Sequence, residues 1–172
     1  IFAAWSCRHQ IESPHVRLLR LEIQEPFPGR VLPIMAEKHG EEEAARRYRA
    51  IVVTTLRQLR GLVETRLRII PLPEDADEAL RFWLLPRLAD RWQADGSVFR
   101  TEGWEIDFGG GLENYQVVAS GEILCPFLGS RWVHAAMLGL ERGTHRAIGP
   151  ASSGGEYFKA QAISPNENPE ER

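Results

Sequence analysis

Cysteine and lysine are scarce in this sequence of 172 residues, which contains two of each. Cys7 and Cys125 are too few and too far apart in the chain for a disulfide framework. Two unpaired cysteines are typical of a protein kept in a reducing compartment, so we expect a cytoplasmic location. The segment 1–5 is also too short to be read as a signal peptide.

Long apolar runs are absent as well. No stretch reaches the roughly 18 consecutive apolar residues that indicate a transmembrane helix, so we expect no membrane span. The net charge of −3 lacks the basic excess that is typical of nucleic-acid-binding proteins, which argues against a nucleic-acid partner. The hydrophobic content of 43% and charged content of 26% are ordinary for a globular protein.

The hydrophobic pattern predicts one α/β domain over residues 16–163, preceded by an irregular lead-in (1–15) and followed by a disordered tail (164–172). Strand patterns occur over 16–23, 66–70, 116–119, 122–125 and 145–148. Helical periodicity occurs over 41–62, 75–85 and 131–140. Residues 98–99 and 104–108 are candidate short strands of an antiparallel pair. The alternation predicts a three-layer α/β sandwich with a mostly parallel, Rossmann-like sheet.

Three loops that follow predicted strands are the candidate binding segments: 26–31, 125–130 and 149–155. In a parallel sheet such loops lie along one edge, where ligands bind. Gly29 and Arg30 could receive a phosphate through backbone N–H groups and a guanidinium, or could form a plain tight turn with a solvated arginine. The sequence alone does not decide between a phosphate-binding loop and a plain turn.

The last of these loops consists of small residues. Ser152, Ser153, Gly154 and Gly155 offer hydroxyls and accessible amides for sugar or phosphate oxygens, although a simple hairpin connection would use the same residues. Cys125 and Pro126 would end a strand beside this site. A free cysteine there can be an inert buried side chain or a nucleophile.

Four segments together resemble a known family. They are 26–31 (Pro-Phe-Pro-Gly-Arg-Val) with the helix that follows it, 93–99, 123–126 (Ile-Leu-Cys-Pro) and 149–157 (Gly-Pro-Ala-Ser-Ser-Gly-Gly-Glu-Tyr). Their order and spacing resemble the bacterial glycosyltransferase-like family, also called radical-SAM/selenodomain-associated transferases. That family is akin to the 2-phospholactate guanylyltransferases and other nucleotide-diphospho-sugar transferases of the GT-A fold. The resemblance covers about residues 16–162.

The resemblance implies a GT-A-type sheet, a nucleotide-linked small-molecule substrate, and glycosyl or nucleotidyl transfer. It also implies Mg²⁺ or Mn²⁺ held by carboxylates, but the matching acids are replaced by Ser97, Leu124 and Ser153. A neutral Leu32-Pro33-Ile34-Met35 stands where the family has Lys-Thr-Arg-Leu. Substitute metal ligands would have to be Glu122, Asp95 or Glu156, and no residue can be assigned a catalytic role.

Two other interpretations remain. The chain could be a degenerate, non-catalytic member of this family that acts as a binding or scaffold protein, since its motif acids are missing. It could also be an unrelated α/β protein with similar turns, in which case the three loops would lie at opposite ends of the sheet.

Overall fold

This computed structural model describes residues 17–88, 92–94, 98–101, 104–109, 112, 115–125, 127–152 and 154–163. The side chains of 92–94, 98–101 and 104–105 are outside the description. The predicted lead-in and the predicted tail both lie outside the described residues.

Within the described residues, eight strands form a single sheet in the spatial order β3-β4-β5-β2-β1-β6-β8-β7. Their bounds are β1 Arg17–Gln24, β2 Thr65–Leu72, β3 Trp92–Ala94, β4 Val98–Thr101, β5 Trp104–Asp107, β6 Val117–Gly121, β7 Arg146–Pro150 and β8 Glu156–Ala162.

The sheet is parallel at its centre and antiparallel at both edges. β5, β2, β1 and β6 are mutually parallel, whereas β4 and β8 run in the opposite direction. Because β3 and β7 again pair antiparallel with β4 and β8, six of the eight strands point the same way. The prediction of a mostly parallel sheet is confirmed for the centre, and β4 and β5 form the expected antiparallel pair.

In the part of the chain that the structure describes, four α-helices accompany the sheet: α1 Pro33–His39, α2 Glu41–Gln58, α3 Asp77–Leu88 and α4 Ser130–Glu141. The sequence predicted α2, α3 and α4 but not the short α1. In α2 the acidic residues Glu41, Glu42 and Glu43 occupy the first turn, where negative charge is stabilised by the helix dipole. Its apolar positions recur at helical spacing, so one side of α2 is buried.

Helices α2, α3 and α4 share one hydrophobic core with one face of the sheet. The strand side chains in that core are all in register on this face: Leu19, Leu21 and Ile23 of β1, Leu67 and Ile69 of β2, Ile106 of β5, Val117 and Ala119 of β6, and Phe158 and Ala160 of β8. The described helices that enter the core therefore form one layer on one side of the sheet.

The opposite side, here called the polar face, carries Arg20 and Glu22 of β1, Ser120 of β6 and Lys159 of β8. No described helix contributes to a hydrophobic core on the polar face. The described helices that enter the core therefore form one layer, and the second helical layer of the predicted three-layer sandwich stays a prediction.

The sequence also misplaced a strand at 122–125. β6 ends at Gly121, where glycine is required because a Cβ would meet Leu128 Cδ2 at 2.7 Å and Leu21 Cδ2 at 3.1 Å. The chain then turns, with the Cys125 N–H donating to the Glu122 carbonyl at 3.0 Å.

The predicted end of α3 at residue 85 is wrong in detail, because Pro86 lies inside the last turn. Among the described residues, no helix is long and apolar enough to cross a membrane.

Candidate functional site

A cleft of about 400 Å³ lies on the polar face at the carboxyl ends of β1, β2 and β6. This polar-face cleft occupies the position at which open α/β sheets bind their ligands. Its floor comes from alternating strand residues that point away from the helical core. Those residues are Arg20, Glu22, Gln24, Ile70, Leu72, Ser120 and Lys159.

The mouth of the cleft is formed by the turn after β6 and by the start of β8. Glu122 donates its backbone N–H to the Tyr157 carbonyl at 2.8 Å, which holds the two segments together. Glu122, Leu124, Glu156 and Tyr157 all line the cleft. The cleft therefore has two cations and the carboxylate of Glu22 on its floor, two further carboxylates at its mouth, and apolar and aromatic side chains beside them.

Tyr48 of α2 closes the cleft from the helical side. Its hydroxyl accepts a hydrogen bond from the Gln24 backbone N–H at 2.9 Å. Burial, with a smaller contribution from the Glu122 carboxylate, raises the pKa of Tyr48 to about 12. The hydroxyl therefore stays protonated at neutral pH, so it can hydrogen-bond a ligand but cannot act as a base.

Gly149 of β7 positions Tyr157. A Cβ at residue 149 would lie 2.7–3.0 Å from the Cζ, Cε1 and Cε2 atoms of the Tyr157 ring. The missing side chain of Gly149 leaves the space in which this ring packs. The Gly-Pro-Ala segment therefore contributes to the cleft through packing.

Gly149→Ala is expected to displace the Tyr157 ring and to lower the free energy of unfolding by about 1–3 kcal/mol, as overpacking does. Urea denaturation measures the change. Gly139→Ala in α4 is the matched control, since its Cβ would meet only Thr144 Oγ1 at an ordinary 3.7 Å. The control is expected to be neutral or slightly stabilising, and equal losses in the two variants would contradict the packing role of Gly149.

The three predicted loops do lie at the same end of the sheet. β1 and β6 are parallel, and β7 runs in the same direction through two antiparallel pairings, so their carboxyl ends coincide. This arrangement disfavours the interpretation that placed the loops at opposite ends of the sheet.

Gly29 and Arg30 lie outside the cleft lining. Gly29 adopts a left-handed φ of 81°, as expected for a turn. Arg30 Nη1 donates to Glu25 Oε2 at 2.9 Å, and the guanidinium lies 5.6 Å from the centre of the Phe27 ring. The structure thus gives Arg30 an internal carboxylate partner, and the phosphate-binding role stays a prediction.

Among the other predicted substrate-binding residues, those that the structure describes lie near the cleft without lining it. Cys125 is a free, half-buried cysteine packed against the hydrophobic core. Ser152, Gly154 and Gly155 are exposed in the turn between β7 and β8, which leads directly to Glu156 and Tyr157 of the cleft. Pro126 and Ser153 lie outside the described residues.

Two of the three predicted metal ligands line the cleft. Glu122 and Glu156 both line the cleft, and Glu156 Oε1 accepts a hydrogen bond from Arg146 Nη2 at 3.0 Å. Asp95 lies outside the described residues. Within the described ranges, no group of three His, Cys, Asp or Glu side chains is placed to hold a metal ion. The described carboxylates therefore do not form a metal site of three protein ligands, and the cofactor stays a prediction.

The predicted binding residues do not include Arg20, Glu22, Ser120 and Lys159. Those predictions were confined to loops after strands and left out the strand positions that point away from the core. A usable signal was present in β1, where Arg20 and Glu22 alternate with leucines and isoleucine. A central parallel strand covered on both faces is nearly continuously apolar. Charges at alternate positions of such a strand therefore indicate that one face is polar.

Comparisons with known proteins identify the fold. No protein-family model and no curated protein matches the sequence. Among solved structures, the chain is similar to the crystal structure of a "putative nucleotide-diphospho-sugar transferase" from Desulfovibrio desulfuricans G20, with a TM-score of 0.63 and 24% identity. The match covers 87% of this chain and 66%, less than two thirds, of that one. The chain therefore shares the α/β fold of that protein.

Proposed function

We propose that the protein binds a nucleotide-linked sugar in the polar-face cleft and transfers a glycosyl or nucleotidyl group from it. The observation that carries this proposal is the cleft itself, which joins the carboxyl ends of three parallel strands. The similarity to a nucleotide-diphospho-sugar transferase supports the choice of ligand. The motifs at 26–31 and 149–157 support membership of the glycosyltransferase-like family.

The cleft contains groups for the chemistry of glycosyl transfer. In that reaction the acceptor oxygen forms a bond to the anomeric carbon. The bond from that carbon to the phosphate oxygen breaks, and its electron pair leaves with the diphosphate. Three exposed carboxylates line the cleft, and because Glu156 is paired with Arg146, Glu22 and Glu122 are the candidates to take the acceptor proton.

A second candidate function is binding without turnover. The specific observation in its favour is the failure of the described carboxylates to form a metal site, together with Leu124 at the strand-end motif position. A leucine side chain has no atom that can ligate a cation. Under this alternative, the cleft would hold the same ligand and leave it intact.

Calorimetric titration with sugar nucleotides carrying uracil, guanine or thymine bases tests the ligand, each with Mn²⁺ and with excess EDTA. We expect saturable binding of at least one of them, and absence of binding throughout the panel would overturn the proposal. Turnover is then measured as release of nucleoside diphosphate or pyrophosphate, with water as the simplest acceptor. An enzyme should release one of these products, whereas a binding protein should release neither. For a glycosyltransferase, Glu22→Gln with Glu122→Gln should keep binding and lose turnover.

A further inference from the structure

A row of polar side chains crosses the floor of the polar-face cleft. Arg20 of β1 is in register with Ser120 of β6, and Ser120 is in register with Lys159 of β8. Adjacent residues in such a row lie one strand spacing apart, about 4.8 Å, so the two cations start about 10 Å apart at the backbone. The small Ser120 lies between them. Two long cationic side chains thus flank an open space that contains one hydroxyl.

Neither cation of this basic row is neutralised within the described residues. The side chains of Arg20 and Lys159 make no hydrogen bond or ion pair there. The nearby arginines Arg68 and Arg146 do have carboxylate partners, since Arg68 is paired with Asp107 and Arg146 is paired with Glu156. An arginine and a lysine without partners, aimed into a cleft of about 400 Å³, favour an anionic ligand.

The carboxylates of the cleft are separated from this basic row. Glu22 lies two residues after Arg20 on the same face of β1, about 7 Å along the strand, and Glu122 follows the end of β6. The basic row therefore occupies one part of the floor, with Glu22 further along β1 and Glu122 and Glu156 at the mouth. A ligand with a phosphate at one end and hydroxyls at the other matches this division.

We infer that Arg20, Ser120 and Lys159 form a subsite for the phosphates of the ligand, and that this subsite neutralises them without a divalent cation. The inference rests on the proposed function for the identity of the rest of the ligand. A guanidinium can bind two phosphate oxygens through paired N–H groups, and the ammonium adds a point charge. The same cations would stabilise the negative charge that develops on a leaving diphosphate.

Inorganic pyrophosphate is the probe that isolates this subsite. We expect calorimetric binding of pyrophosphate to the full chain in excess EDTA, with no gain in affinity when Mn²⁺ replaces EDTA. Arg20→Gln and Lys159→Gln should each weaken binding about tenfold or more, and the double variant about a hundredfold. Arg20→Lys should retain more affinity than Arg20→Gln.

Arg47→Gln is the matched control, because it removes one positive charge from the exposed surface of α2. Its affinity for pyrophosphate should equal that of the unaltered protein. Circular dichroism melting of each variant checks that the fold is kept; these polar-face substitutions lie outside the hydrophobic core, so folding should persist. Equal affinity in Arg20→Gln, Lys159→Gln and Arg47→Gln, or binding that requires Mn²⁺, would overturn the inference.

The two proposals fail in different ways. If pyrophosphate binds through Arg20 and Lys159 while no sugar nucleotide binds more tightly than pyrophosphate, the subsite stands and the proposed function falls. If sugar nucleotides bind equally well to the unaltered protein and to the double variant, the proposed function stands and the subsite falls.

Discussion

Asp107→Asn is expected to lower the free energy of unfolding by about 3–5 kcal/mol, as removal of one partner from a buried ion pair does. Asp107 of β5 accepts hydrogen bonds from Arg68 Nε at 2.8 Å and Arg68 Nη2 at 3.1 Å, and Arg66 Nη1 lies 3.8 Å from its Oδ2. The side chains of Arg68 and Asp107 are 5% and 4% exposed. The substitution would remove the negative charge that lies between the guanidinium groups of Arg66 and Arg68.

The expected loss of unfolding free energy is large because the Arg68–Asp107 pair is almost inaccessible to water. A domain is typically stabilised by about 5–15 kcal/mol in total, so this loss would be a large share. Equilibrium urea denaturation measures it. Glu43→Gln is the control, because Glu43 pairs with Arg46 and Arg47 on the exposed side of α2, where its loss should leave the unfolding midpoint nearly unchanged. Similar midpoints for the two variants would contradict the buried network.

Glu141→Gln is expected to cost about 2 kcal/mol of unfolding free energy, the range for hydrogen bonds to a charged group. Arg17 of β1 donates to both carboxylate oxygens of Glu141 in α4, from Nε at 2.6 Å and from Nη2 at 2.9 Å. The Arg17 side chain is only 5% exposed, and this pair connects the last turn of α4 to the sheet. The substitution keeps the shape of the side chain and removes its charge.

The same pair predicts a pH dependence. The hydrogen bonds from Arg17 lower the pKa of Glu141 below its usual 4.5. A carboxyl whose pKa is lower in the folded state stabilises the fold above the unfolded pKa, and this stability is lost as pH falls through the folded pKa. The difference in stability between the unaltered protein and Glu141→Gln should therefore be full at neutral pH and shrink below about pH 4.5. A difference that stays constant down to acid pH would contradict the ion pair.

The elements with strong local periodicity could be predicted from sequence. Helix α2 has acidic residues in its first turn, and its buried residues recur at helical spacing. Its position can therefore be predicted without tertiary information. β1 and β2 were found from their dense apolar character. Residues 122–125 were misread because Ile123 and Cys125 alternate as strand residues do, although they pack on the core from a turn.

The polar-face cleft could not be predicted because it depends on strand order. Arg20, Ser120 and Lys159 are 100 and 39 residues apart in sequence, and only the β1–β6–β8 register makes them neighbours. Each of them alone looks like an ordinary solvent-facing strand residue. The loop residues around Gly29 and Ser152 were easier to identify from sequence, and they lie at the correct end of the sheet but outside the cleft lining.

The most direct test of the central claim is a map of backbone amide chemical shifts during titration with a sugar nucleotide in excess EDTA. The account predicts that the largest changes fall on the strand ends that line the cleft, over residues 20–24, 120–124 and 156–159. Changes confined to the loops at 26–31 and 149–155, or an unchanged spectrum with every sugar nucleotide, would contradict it.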